Sequence, residues 1–272
     1  MIEISFSKLV ESGEYRHVPV VFSIGVFDGV HRGHKLVLEK LVKLKEERKA
    51  EKSAVITFAT NPKGREGALD TLRLRSEYIA SFGVNLLAVI DFSPIFSKIT
   101  ACEFTELLTK AFQPSGAVVG ADFRFGNPSA EADGHGLERF LREMGCDAPV
   151  EIADSVLDGN GEKISSSRLR QMIEKGELGC FLKLSGQFYR VDLVPLPYRL
   201  DSGELIFSRA SIHQLLPPPG LYDAAILSLK GKVIKAEAEI DGESLHVLPS
   251  SGFYECGKDE LLLDSLYLEK RR

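Results

Sequence analysis

The chain has 272 residues, 44% of them hydrophobic and 27% charged, with a formal net charge of -5. That is enough chain for one large or two modest domains, each with its own core. The acidic balance argues against a nucleic-acid binder, whose surface is normally basic, but leaves room for small anionic ligands, because a local cluster can outweigh the total.

In chain order, short apolar runs alternate with helical patterns. Strands are expected at residues 18–24, 54–58, 86–91, 117–120 and 150–153, and helices at 34–49, 73–82, 102–112, 137–144 and 167–175. Alternation of this kind predicts an α/β domain, a parallel sheet covered by helices on both faces, with ligands beyond the carboxyl ends of the strands. The texture changes after residue 186. Residues 233–240 alternate cleanly, with Ile234, Ala236, Ala238 and Ile240 on one face and Lys235, Glu237 and Glu239 on the other. Residues 193–197, 221–229 and 261–268 also look strand-like, and Pro217, Pro218, Pro219 and Gly220 punctuate them. The expectation is a first domain over residues 1–186 and a small antiparallel β domain over 187–272, linked by a short helix at 178–184.

No apolar run approaches the roughly 20 residues that span a bilayer, and the amino terminus lacks a secretory pattern. Cys102, Cys146, Cys180 and Cys256 form no C-x-x-C pair, so neither a zinc ribbon nor a disulfide framework is suggested. A cytoplasmic protein is expected, without membrane or nucleic-acid partners; nothing firm points to a protein partner.

Four constellations carry chemistry. The first is Gly25, Val26, Phe27, Asp28, Gly29, Val30, His31, Arg32, Gly33 and His34, a glycine-rich turn between a strand and a helix. Glycines let backbone approach a ligand, and the helix start offers N–H groups and a positive dipole end to a phosphate. His31 and His34 can donate to triphosphate oxygens and offset charge on a leaving pyrophosphate. No third Cys, His or carboxylate stands at ligand spacing, so metal ligation by the histidines alone is not expected. The second is Ser165, Ser166 and Ser167 with Arg168 and Arg170 at a helix start. One serine suffices as a cap; the rest read as a phosphate clamp. The third is Asp122, Phe123, Arg124, Phe125 and Gly126, followed by Asn127 and Asp133: either a strand-to-loop turn with core phenylalanines, or a wall for a planar aromatic substrate. The fourth, Thr57 and Phe58 through Asn61, Pro62 and Lys63, reads mostly as a plain turn.

Taken together, these segments resemble the prokaryotic FAD synthetases, the bifunctional riboflavin kinase/FMN adenylyltransferase family. The first matches that family's Gly-x-Phe-Asp-Gly-Val-His-x-Gly-His, the third its Val-Gly-x-Asp-Phe-x-Phe-Gly, and the second its Ser-Ser-Thr-x-Ile-Arg, with Ser167 and Leu169 in the Thr and Ile places. Residues 184–189 look like the family's link between domains. The likeness runs over roughly residues 15–190 in order. It implies a Rossmann-like nucleotidyltransferase domain that joins FMN to the AMP part of ATP, yielding FAD and pyrophosphate with Mg2+. His31, His34, Ser166, Ser167 and Arg170 are then the catalytic candidates. Gly25, Val26, Phe27, Asp28, Gly33 and Arg168 fall to ATP, and Phe58, Asn61, Asp122, Phe123, Phe125 and Asp133 to FMN.

Two departures stand out. The family has Pro-His-Pro where this chain has Thr60, Asn61 and Pro62. In the kinase part, the best match to the family's Gly-Arg-x-x-Gly-x-Pro-Thr-Ala-Asn is residues 206–211, with Arg209 in the Thr place and Ser211 in the Asn place; no residue is placed as its catalytic glutamate, Glu237 and Glu239 reading as solvent-facing strand positions. The resemblance therefore implies a truncated, degenerate riboflavin-kinase-like barrel and no riboflavin kinase activity. Rival readings are a nucleotidyltransferase for another phosphate acceptor, such as glycerol phosphate or a pantetheine, and a non-catalytic flavin-binding protein.

Overall fold

The computed structural model describes residues 1–62, 64, 67–250 and 263–271; Lys63, Cys256 and the first two positions of the strand expected at 261–268 lie outside them. By packing, the chain divides into two units, Met1–Gly64 with Arg75–Lys163, and Arg65–Leu74 with Ile164–Arg272. No helix among the described residues is long and apolar enough to cross a membrane.

The first unit runs β1 (Ile2–Ser5), α1 (Phe6–Ser12), β2 (Tyr15–Ile24), α2 (Arg32–Glu47), β3 (Lys52–Phe58), α3 (Leu72–Ser81), β4 (Leu86–Ile90), α4 (Ala101–Ala111), β5 (Phe112–Gly120), α5 (Gly134–Glu143) and β6 (Val150–Ala153), with the division between units falling inside α3. Among the described residues the six strands form a wholly parallel sheet in the order β1-β4-β3-β2-β5-β6. The sequence dictates this through runs that are apolar at every position rather than every second one. Val20, Val21 and Phe22, Ala54, Val55 and Ile56, and Ala117, Val118 and Val119 are all fully buried, as in strands covered on both sides.

Alternate side chains point to opposite faces. Val20, Phe22, Ala54, Ile56, Ala88 and Val119 cluster with Phe6 and Leu9 of α1, Phe104 and Leu108 of α4, and Leu137 and Leu141 of α5. The other face holds Val21, Val55, Leu87 and Val118, and α2 covers it with Val37, Leu38, Leu41 and Leu44. Contact there is close: a Cβ on Gly116 would meet Leu44 at 3.1 Å. Strand order matters for function. From β2 the chain winds outward through β3 and β4 on one side and through β5 and β6 on the other. The crevice between the carboxyl ends of β2 and β5 is therefore a topological switch point, where such sheets bind ligands.

Three expectations are corrected here. β1 and α1 were not anticipated; β1 is short, and its apolar Ile2 is exposed at the sheet edge. Phe112 ends no helix: it adopts φ -157° and starts β5, which begins five residues before the expected 117. Residues 193–197 form no strand, because Pro195 and Pro197 have no N–H for a ladder and the Leu196 N–H turns back to the Leu193 carbonyl at 3.1 Å.

The second unit holds α6 (Ser166–Glu174), α7 (Leu178–Ser185) and seven described strands: β7 (Tyr189–Asp192), β8 (Tyr198–Asp201), β9 (Glu204–Ser208), β10 (Gly220–Ser228), β11 (Val233–Ile240), β12 (Ser244–Pro249) and β13 (Leu263–Lys270). They form an antiparallel sheet in the order β7-β13-β10-β11-β12-β9-β8. In β11 the residues Ile234, Ala236, Ala238 and Ile240 are buried and their neighbours exposed, as the alternation requires. Residues 65–74 join this unit through an ion cluster. Arg73 Nη2 donates to Asp192 at 2.6 Å, its Nη1 to Asp264 at 2.7 Å, and Arg190 Nη2 donates to Asp264 as well. Burial would raise the Asp264 pKa, but hydrogen bonds from Arg190 and Ser265 and then the charges of Arg190 and Arg73 hold it below its ordinary value. Gln214 completes the attachment, donating to the Leu69 carbonyl at 2.9 Å.

Candidate active site

Beyond β2, the Gly25 N–H donates to the Ile56 carbonyl at 3.0 Å, extending the sheet by one bond. The Val26 carbonyl accepts from Thr57 Oγ1 at 3.0 Å and from Arg75 Nη1 at 2.5 Å. Arg75 Nη2 donates to the carbonyls of Phe58 at 3.0 Å and Ala59 at 3.3 Å. One guanidinium, only 4% exposed, thus fastens the loop after β2 to the loop after β3. Phe27 follows with φ +54°, left-handed backbone that costs a bulky residue roughly 1–2 kcal/mol and persists only when its surroundings fix it. The Phe27 ring is buried against residue 25, where a Cβ would come within 3.0 Å of it. That contact is why position 25 is glycine.

His31 is the N-cap of α2. Its Nδ1 accepts from the N–H groups of Gly33 at 3.1 Å and His34 at 3.4 Å. An imidazole can accept there only with Nδ1 unprotonated, so its proton sits on Nε2. Gly33 makes room, since a Cβ would lie 3.0 Å from the His31 ring. His34 stacks on His31 with centroids 3.9 Å apart and planes 18° apart, and Phe27 packs on His34 at 5.0 Å. The spacing His-x-Gly-His therefore has one physical sense: a cap, a gap for its ring, and a second ring laid against the first.

Burial, and after it the charge of Lys163, push the His31 pKa down to about 4. His34 is held well below its ordinary value by burial, then by His31 and Arg75. Both rings are neutral near pH 7 and act as hydrogen-bonding groups rather than cations. Among the described residues, His34 Nδ1 is buried without a hydrogen-bond partner, an uncommon state for a polar atom. Asp28 is buried beside this loop, 5% exposed.

The loop after β5 is open by contrast. Phe123 and Phe125 stack at 5.2 Å, and an aromatic row continues through Phe104, Phe96 and Phe92 to Phe58, with successive centroids 6.0, 5.9, 6.1 and 5.8 Å apart. The Phe125 N–H and carbonyl pair with Ala132, and left-handed Gly126 (φ +87°) lets the chain pass Ala101, which a Cβ would meet at 2.5 Å. Asp122 is exposed and ion-paired with Lys163, which closes a hairpin with Leu157. Asp133 caps α5, its Oδ1 accepting from Gly136 N–H at 3.0 Å, which lowers its pKa. The Asn61 carbonyl closes a turn by accepting from Gly64 N–H at 3.0 Å.

Of the site residues read from sequence, His31, His34, Gly25, Val26, Phe27, Asp28, Gly33, Phe58, Asn61, Asp122, Phe123, Phe125 and Asp133 belong to the first unit, on loops at the carboxyl ends of β2, β3 and β5 or at the helix starts that follow. Ser166, Ser167, Arg168 and Arg170 belong to the second. There Ser165 is the serine that caps α6, accepting from Arg168 N–H at 3.3 Å, and Arg170 Nη2 donates to the Gly67 carbonyl at 2.6 Å. Arg75 and Lys163 were not singled out in the sequence. Arg75 looks like any helix arginine, and Lys163 had only its place two residues before Ser165 as a signal.

Residues 14–168 match the family model for FAD synthetase. A bifunctional riboflavin kinase/FMN adenylyltransferase of Escherichia coli (strain K12) is 30% identical over 233 residues, 81% of this chain and 72% of that relative. One of Bacillus subtilis (strain 168) is 24% identical over 244 residues, 86% of this chain and 72% of that relative. A solved structure described as a macrolide-efflux protein from Streptococcus pneumoniae superposes with a TM-score of 0.78 at 22% identity, over 100% of this chain and 90% of that one. At that identity the likeness speaks to fold alone.

Proposed function

Because the chain belongs to the FAD synthetase family, we propose that it is an FMN adenylyltransferase, joining FMN to the AMP part of ATP, and that it lacks riboflavin kinase activity. The observation that carries the first half is the neutral, stacked imidazole pair at the start of α2, with the His31 proton fixed on Nε2. In this reading an FMN phosphate oxygen attacks the α-phosphorus of ATP in line. The bond from that phosphorus to the bridging oxygen breaks, and pyrophosphate leaves. His31 Nε2–H donates to a phosphate oxygen, and His34 stands behind it with a nitrogen that has no partner among the described residues. Neutral donors fixed in place stabilise developing charge without reorganising.

Gly25, Val26, Phe27, Asp28 and Gly33 shape the ATP side. Phe58, Phe123 and Phe125, on one aromatic row, suit a planar flavin; Asn61, Asp122 and Asp133 are its polar contacts. Ser166, Ser167 and Arg170, with Arg168, serve phosphate. The catalytic domain is proposed to run to Gly186. Mg2+ is proposed to arrive on ATP. Among the described residues no group of three or more His, Cys, Asp or Glu could hold a metal; a magnesium ion carried on the triphosphate would keep phosphate and water ligands.

The second half rests on Arg209, which opens a short 3-10 turn after β9. Its Nη1 is buried without a hydrogen-bond partner among the described residues. A guanidinium where the family has a metal-serving threonine brings like charge to a cation. Glu237 and Glu239, both solvent-facing, offer no substitute base. Incubation with Mg2+ and ATP plus either FMN or riboflavin tests both halves. FAD is expected from FMN and nothing from riboflavin; FMN formed from riboflavin refutes the kinase claim, and pyrophosphate release with glycerol phosphate or a pantetheine instead of FMN refutes the acceptor.

A further inference from the structure

Resting on the reading of residues 25–34 as the ATP site, we propose that Arg75 is a positioning residue for nucleotidyl transfer, holding the loop after β2 in the shape that presents His31 and His34. Its Nη1 and Nη2 donate to the carboxyl ends of β2 and β3 and the loops beyond them: the Val26, Phe58 and Ala59 carbonyls and Thr57 Oγ1. A buried guanidinium is costly unless it is hydrogen-bonded, so the bonds its two terminal nitrogens make to these oxygens hold it in place. The task needs a fork. Nη1 reaches the Val26 carbonyl beyond β2 and Thr57 Oγ1 of β3, while Nη2 holds the Phe58 and Ala59 carbonyls; a lysine presents a single point charge. The fixed Val26 carbonyl precedes the left-handed Phe27, whose ring bears on residue 25 and on His34. Arg75 therefore acts on the imidazole pair through the backbone. Thr57, the second donor to Val26, supports the same carbonyl from β3.

The test compares wild type with Arg75→Lys, Arg75→Met and Thr57→Val in FAD formation from FMN and ATP, each assayed where circular dichroism shows it folded. A displacement of about 1 Å at a reacting group can lower the rate about 10²-fold, and that loss in kcat is expected for both Arg75 variants, with KM for FMN changed far less. Lysine should restore little, and Thr57→Val should cost less than either. In parallel, the His34 and Phe27 ring proton resonances should move in Arg75→Lys. A folded Arg75 variant with kcat within about twofold of wild type, or with those resonances unmoved, overturns the proposal. If Arg75→Met does not fold, Arg75→Lys carries the test. If wild type itself forms no FAD, the functional reading fails separately, and the ring resonances still decide whether Arg75 shapes the loop.

Discussion

The loops that follow β2 and β5 flank the same crevice and are built in opposite ways. In the first, Phe27 and His31 are only 2% and 7% exposed, and the chain is held by the Phe27 ring, the His31 cap and the Arg75 fork. In the second, Asp122, Arg124 and Ser129 are exposed, and the charged contacts are surface pairs. Under the proposed function the difference fits a division of labour: the loop assigned to phosphate is set before any ligand arrives, while the one assigned to the acceptor is left open to adjust.

The strongest way to break that comparison is at the cap. His31→Asn keeps an N-cap acceptor but removes the Nε2–H, so thermal stability should stay within about 1 kcal/mol while kcat falls on the order of 10²–10³-fold. Equal losses of stability and rate would mean the ring is only a cap. Next, Gly33→Ala should displace the His31 ring, since the new Cβ would lie 3.0 Å from it. A rate loss approaching 10²-fold is expected, against a small effect for alanine at Gly120, whose Cβ would meet nothing within 4 Å.

Acidity sharpens the contrast. Below pH ~6.5 the unfolded chain protonates residue 31, whereas the folded one resists until about pH 4. Stability from the neutral ring is therefore whole above pH ~6.5 and is lost as pH falls toward 4, by an amount on the order of 3 kcal/mol. His34 acts in the same direction. Urea unfolding at pH 7.5 and 4.5 should show the loss, and His31→Asn should diminish it. The smallest effect belongs to the open loop. Arg124 and Asp133 approach only to 3.9 Å at the surface, so Arg124→Ala should change stability by less than about 0.5 kcal/mol. A larger change in a calorimetric scan would make this loop as rigid as its neighbour.

The parallel sheet was legible because burial on both faces leaves runs such as Val20 to Phe22 with no polar position, and β11 because burial on one face leaves strict alternation. The imidazole loop was legible because its glycines have steric reasons at fixed spacing from the rings they accommodate. Arg75 was not. Helical periodicity marks it as a polar position, and only the fold brings the carbonyls of two distant loops to its guanidinium. Lys163 escaped for the same reason, since Asp122 lies 41 positions away. The turn at Pro195 was misread because leucine and valine outnumber prolines there, although the missing N–H groups decide the matter.

Arg73 sets a limit on dissecting the polypeptide. Residues 65–74 are inserted in the sequence of the first unit, yet they are moored to Asp192, Asp264 and Gln214 of the second. A gene truncated after codon 186 would strip that mooring, leaving Arg73 without either carboxylate and the Leu69 carbonyl without its amide donor. Freeing one half from the other calls for two excisions and a repair of this strand of chain, and a single stop codon would report on the damage rather than on the missing half.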